Sequence, residues 1–173
     1  MIYMPTWRDS RTNFIDNALP DIEKLSNTLR ERSALLYIKT HPQTDWQPKN
    51  LPANIKVFPN DLDIYPILDR FDMMITDYSS IFYDWIHIKD SGALLYTFDL
   101  AEYMETDRDL AFPYLENIAG VVAEDYNSLC EILLDGRALQ QIPMVDLQRV
   151  RDRFWSGSAS PASPKLFETM KTI

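Results

Sequence analysis

The sequence predicts an α/β domain built on a Rossmann-like, doubly wound parallel sheet, and three observations carry that expectation. Short apolar runs alternate with stretches in which apolar residues recur three and four positions apart, the marks of buried strands and of amphipathic helices. Strand–helix alternation of this kind places helices on both faces of a parallel sheet. Polar residues then cluster directly after three of the apolar runs, at the sheet edge where open α/β folds bind ligands.

The first expected strand is 2–4, followed by the loop Pro5-Thr6-Trp7-Arg8-Asp9-Ser10-Arg11. In a parallel sheet Arg8 and Arg11 stand at the ligand edge; the plainer reading is a pair of surface arginines flanking Asp9. Asp21 opens a helix running to about Arg32, with acidic residues first and basic residues last, matching the helix dipole. A second strand at 34–38 leads into Lys39-Thr40-His41-Pro42. His41 is held extended by the proline after it, and is either a ligand contact or a loop residue making one hydrogen bond. Residues 43–54, rich in polar side chains and prolines, read as an exposed loop.

A third strand at 55–58 precedes a short helix with Ile64, Ile67 and Leu68 facing inward. The fourth strand, 73–75, leads into Thr76, Asp77, Ser79 and Ser80, after which Ile81, Phe82, Trp85 and Ile88 recur at helical spacing. This cluster therefore sits where a strand ends and a helix begins. Two readings of its serines stand: a plain helix N-cap, or an anion site using free helix amides as well. A fifth strand at 92–98, an irregular excursion over 99–116, and a sixth strand at 119–123 follow. Asp125 caps a helix through Leu134, another helix spans 146–154, and a linker at 156–164 joins a last helix near 165–170. His87, on the helix after Ser80, reads as an ordinary helix-face histidine. Trp46, Trp85 and Trp155 read as packing residues, with Trp7 the best candidate to stack on a ligand.

The composition removes several function classes. The 173-residue length suits one domain with a sizeable core. A formal net charge of −9 argues against nucleic acid and against docking of this segment on anionic lipid; one or two placed cations still suffice for a phosphate ligand. The single cysteine, Cys130, excludes an internal disulfide and a cysteine-cluster metal site, and its apolar neighbours suggest a buried helical thiol that fits an intracellular location. No run approaches the ~20 apolar residues of a membrane span. The strand at 2–4 arrives with no lead-in, as expected of a piece cut from a longer protein.

Three segments together resemble a known family. Tyr3-Met4-Pro5-Thr6-Trp7-Arg8, Ile38-Lys39-Thr40-His41-Pro42 and Ile75-Thr76-Asp77-Tyr78-Ser79-Ser80-Ile81-Phe82-Tyr83-Asp84 are similar, in order and spacing, to signatures of the CDP-glycerol:poly(glycerophosphate) glycerophosphotransferases, which build teichoic acids and related capsular polymers. The resemblance covers roughly residues 2–134. It implies that residues 1–173 are the donor-nucleotide half of a two-domain GT-B-type transferase. On that analogy Thr6, Arg8, His41, Thr76, Asp77, Ser79 and Ser80 form the CDP-glycerol pyrophosphate site, with Arg8 and His41 catalytic, and Asn60 and Asp84 lie towards the cytidine. It further implies CDP-glycerol as donor substrate, no permanently bound cofactor and no metal. The polymer acceptor and the general base belong to an N-terminal domain, and the full protein works at the cytoplasmic face of the membrane, associated with it only peripherally. The Gly157-Ser158-Ala159-Ser160 stretch departs from the family pattern by lacking a lysine and adding Pro161 and Pro164.

The implied chemistry agrees with the residue types. Breaking a pyrophosphate bond builds charge on the departing CMP, and fixed donors with a cation stabilise that charge. Arg8 offers a bidentate fork, and His41 a ring N–H able to protonate the leaving phosphate. A phosphorelay receiver is disfavoured because an acidic pair is missing after the first strand, and a serine hydrolase because residues 76–80 contain no glycine. A nucleotide-sugar transferase of GT-B type and a non-catalytic nucleotide-binding module remain as rivals.

Overall fold

Successive residues of a strand face opposite sides of a sheet, and in this chain both sides are apolar. In β1 (Ile2–Met4), Ile2 and Tyr3 enter different cores. The same split separates Met74 from Ile75 in β4, and Ala93 and Leu95 from Leu94 and Tyr96 in β5. A sheet with two apolar faces needs a helical layer on each. The computed structural model of the chain, which describes residues 1–11, 13–44, 46–155 and 162–171, has that architecture.

The elements run β1, α1 (Phe14–Ala18), α2 (Ile22–Glu31), β2 (Leu36–Ile38), β3 (Ile55–Val57), a 3-10 segment (Tyr65–Arg70), β4 (Met74–Thr76) and α3 (Ile81–Lys89). They continue with β5 (Ala93–Tyr96), α4 (Leu100–Thr106), a 3-10 turn (Leu115–Asn117), β6 (Gly120–Ala123), α5 (Tyr126–Asp135), a 3-10 turn (Ala138–Gln141), α6 (Met144–Phe154) and α7 (Ala162–Met170). The six strands form one sheet in the order β3-β2-β1-β4-β5-β6, and each neighbouring pair is parallel. This is the doubly wound order whose direction of winding reverses beside the first strand.

One face is covered by α2 and α5, which pack Leu25, Leu29, Leu129 and Leu133 with Phe14 and Ile15 of α1. The other is covered by α3 and α6, through Phe82, Trp85, Ile86, Leu147 and Val150. Trp85 is fully buried and donates its indole N–H to the Gly92 carbonyl at 3.0 Å, so it is a packing residue. Asp21 caps α2 by accepting from the Lys24 amide at 2.8 Å. Asp125 and Ser128 form a reciprocal capping box on α5, and Gly136 ends that helix at a φ of 64°, the left-handed conformation glycine tolerates. Cys130 lies buried within α5.

Several expectations shift. The excursion over 99–116 contains α4, which Tyr103 anchors by burial, and α1 occupies part of the loop after β1; five and seven residues are too few to show helical periodicity. Helix α3 has Ser80 at its N-cap position with no side-chain cap bond, so the plain-cap reading of the serines fails. Of the expected linker, residues 156–161, including Gly157-Ser158-Ala159-Ser160 and Pro161, lie outside the described residues. Residues 162–164 already belong to α7, where Pro164 in the first turn needs no helical N–H partner.

Candidate functional site

The strand order carries the loops after β1, β2 and β4 to one edge of the sheet, on either side of β1. They enclose a cleft of ≈ 470 Å³ whose wall includes Thr6, Trp7, Lys39, His41, Ser79 and Arg108. A crevice beyond the carboxyl ends of the strands, where the winding reverses, is the usual ligand position in such sheets. The N-terminus of α3 opens beside it at Ser79 and Ser80, adding amides without helical partners and the positive end of a helix dipole.

His41 is exposed on the wall, and its ring stacks on Trp7 at 5.5 Å between centroids with 21° between planes. Its Nδ1 accepts the Gln43 amide at 3.2 Å. In the neutral ring the proton therefore sits on Nε2, which is left as a donor. Thr6 and Ser79 join His41 in the wall. Ser80 is exposed at the start of α3 but is not part of the cleft lining.

Behind the wall lies a buried polar frame. Asp77 has no exposed surface and accepts from the Thr6 amide at 2.9 and 3.0 Å and from the Thr6 hydroxyl. Thr76, equally buried, donates its hydroxyl to the Met4 carbonyl at 2.7 Å, tying β4 to β1. Arg8 departs from the expected role. It is 0% exposed, and its guanidinium is committed to Asp99 at 2.8 and 2.9 Å, to Asp77 at 3.0 Å and to the Thr6 carbonyl at 2.6 Å. The rings of Phe14, Tyr78 and Tyr103 surround it at 4.8–4.9 Å. A cation so enclosed braces the loop after β1; it does not reach a ligand in the cleft.

Burial works to lower the Arg8 pKa, but the hydrogen bonds and charges of Asp99 and Asp77 outweigh it and raise it. Burial pushes the Asp77 carboxyl above its ordinary value, and Arg8 and Thr6 oppose that rise. Tyr78 completes the frame by donating its hydroxyl to Asp99, and Tyr114 donates to the Asp77 carbonyl at 2.9 Å.

Asn60 donates to the hydroxyl of Thr40, a wall residue, at 3.2 Å, while its buried Oδ1 has no partner among the described residues. Asp84 stands in the first turn of α3 and accepts from the Tyr65 hydroxyl at 2.6 Å; burial first, then this bond, raises Tyr65 to about 12. Asp84 is not part of the cleft lining. His87 is exposed and stacks on Trp155 at 4.3 Å. Sequence reasoning passed over Arg108, a cleft residue contributed from beyond α4. Flanked by Asp107 and Asp109 in an acidic stretch, it carries no local signal of a site.

Comparisons with known proteins bear on the family and the fold. The family model described as CDP-Glycerol:Poly(glycerophosphate) glycerophosphotransferase matches residues 1–171. The chain is 32% identical over 142 residues to a teichoic acid glycerol-phosphate primase of Bacillus spizizenii, covering 81% of this chain and 36% of that protein. It is 27% identical over 154 residues to the teichoic acid ribitol-phosphate polymerase TarL of Staphylococcus aureus, covering 84% and 27%. The chain thus spans about a third of the length of these curated relatives. Its fold is similar to the solved structure of the wall teichoic acid polymerase TagF, with a TM-score of 0.79 at 22% identity over 99% of this chain and 42% of that one. By its residues, its fold and the match along nearly its whole length, the chain belongs to the CDP-glycerol:poly(glycerophosphate) glycerophosphotransferase family.

Proposed function

We propose that this chain supplies the donor site of an enzyme that transfers glycerol phosphate, or a related polyol phosphate, from its CDP-activated form to a growing teichoic-acid-like polymer. The observation that carries the reading is the placement of His41, Thr6 and Ser79 around one cleft at the reversal of the sheet, beside the N-terminus of α3. Such a cleft suits a diphosphate: helix amides, hydroxyls and an imidazole donor meet an anion without a protein nucleophile.

In the reaction, the acceptor hydroxyl oxygen bonds to the polyol-bearing phosphorus while the bridging P–O bond to CMP breaks. The hydroxyl proton passes to a base outside this chain, and His41 gives its Nε2 proton to the departing CMP phosphate. Thr6 and Ser79 hold the phosphates in place. Asn60, beside Thr40, lies on the path towards the cytidine, while Asp84 acts through Tyr65. Arg8, Thr76 and Asp77 serve from behind, fixing the loops that carry Thr6 and Ser79. The acceptor and the base belong to a second domain, for which the greater length of the relatives leaves room. The enzyme works at the cytoplasmic face of the membrane, with membrane contact made outside this acidic segment.

The test compares His41→Ala with His87→Ala in the full protein, each checked first for unchanged melting. General acid catalysis contributes about 10²–10⁴-fold, so His41→Ala should lower transfer from CDP-glycerol or CDP-ribitol by at least about 100-fold while His87→Ala stays near normal. Equal losses in two well-folded variants would overturn the assignment.

A further inference from the structure

A diphosphate brings two negative charges into the cleft, and the cation expected to meet them, Arg8, is wholly spent on Asp77 and Asp99. Lys39 and Arg108 are the Lys and Arg side chains in the cleft wall among the described residues. The Lys39 ammonium lies 3.3 Å from the Pro59 carbonyl and 5.1 Å from the Phe58 ring centroid, so it is already partly placed. Arg108 is different. Its guanidinium stands 5.8 Å from the Trp7 ring centroid, on the same indole against which His41 stacks. Its Nε donates to Asp9 at 2.8 Å, and the two Nη groups have no partner among the described residues. The side chain remains 59% exposed.

The segment that carries Arg108 is fastened to the loop after β1. Asp107 accepts from the Ser10 amide at 2.8 Å and from the Ser10 hydroxyl at 3.0 Å. Asp9 and Ser10 thus hold a guanidinium at the cleft from a residue 99 positions away along the chain, with its outer two nitrogens uncommitted. A planar fork held by one nitrogen and open at two others is pre-shaped for bidentate grip on phosphate oxygens.

We infer that Arg108 is a binding cation of this site: it grips the donor diphosphate from the cleft wall, while Asp9 orients it. This rests on the donor reading above and names the residue that neutralises the donor's charge. The inference places charge recognition in the segment after α4, outside the three motif loops.

The experiment measures binding of a CDP-polyol (CDP-glycerol or CDP-ribitol) and of inorganic pyrophosphate by calorimetry on the full protein, comparing wild type with Arg108→Gln, Arg108→Lys and the control Arg137→Gln at an exposed position beyond α5. Loss of one charge-assisted contact corresponds to roughly a tenfold or greater weakening. The expected result is at least about tenfold weaker binding of both probes by Arg108→Gln, partial rescue by lysine, which keeps the charge but loses the fork, and unchanged binding by Arg137→Gln. Wild-type binding of the CDP-polyol that Arg108→Gln leaves intact would overturn the inference and leave the donor reading standing. Wild-type binding of pyrophosphate but not of CDP-glycerol or CDP-ribitol would overturn the donor reading, with Arg108→Gln still deciding whether this arginine holds phosphate. If neither probe binds, both fall.

Discussion

Arg8→Met removes a buried cation while keeping much of its volume, and it separates a brace from a ligand contact. The guanidinium bridges Asp77 and Asp99, side chains that are 0% and 4% exposed, so its loss leaves buried negative charge with little water to replace it. Breaking a buried ion pair by deleting one partner costs about 3–5 kcal/mol, a large part of the ~5–15 kcal/mol that holds a typical domain folded. With a urea dependence of about 2 kcal/mol per molar for a domain of this kind, the unfolding midpoint should fall by about 2 M. The penalty should depend on pH. Burial already raises the Asp77 pKa in the wild type against the opposition of Arg8, and removing Arg8 raises it further. A carboxyl whose folded pKa is raised contributes favourably below its unfolded value of ~3.9 and loses that contribution as pH rises through the folded pKa. The gap between variant and wild type should therefore be smallest near pH 4 and widen towards neutrality. Urea unfolding at pH 4 and pH 7, followed by tryptophan fluorescence, reads both effects. A variant that unfolds within about 0.5 M of wild type at pH 7 yet loses donor binding would refute this account, because Arg8 would then be spending its charge on the ligand.

Ser79→Ala should weaken donor binding more than Ser80→Ala, since Ser79 lines the cleft and Ser80 does not. Neither change should move the melting temperature by more than the equivalent of about 0.5 kcal/mol, as no side-chain cap bond is lost from α3; calorimetric titration and thermal melts check both points. Asp125→Ala removes the capping box of α5 and should cost about 1 kcal/mol of stability with no change in donor affinity, since α5 follows β6 at the far side of the sheet. A fall in affinity without a fall in stability would show that α5 communicates with the cleft.

Local pattern was enough to place most of the framework. The apolar runs of β1, β4 and β5 and the spacing of Leu25 with Leu29 or Leu129 with Leu133 report burial directly, because periodicity in sequence is periodicity in space. Parallel pairing then follows from strand–helix alternation and sends every strand's carboxyl end to one edge, so Thr6, His41 and Ser79 could be grouped before any coordinates. The capping role of Asp125 was legible for the same reason: its partner Ser128 is three residues away.

What the sequence could not decide were the partners of charged groups. Arg8 and Arg108 are both arginines near polar loops, and nothing within ten residues of either tells brace from rim. Arg8 meets Asp99 from 91 positions away and Asp77 from 69, and only the folded sheet, with β1 beside β4, buries all three together. Arg108 reaches Asp9 across 99 positions because α4 returns the chain to the loop after β1. A long-range ion pair is set by which strands are neighbours, and strand order depends on packing energy summed over the whole chain. The residue types and the sheet edge that carries the cleft were written in the sequence; which cation is buried and which is left facing the cleft was decided by the tertiary fold.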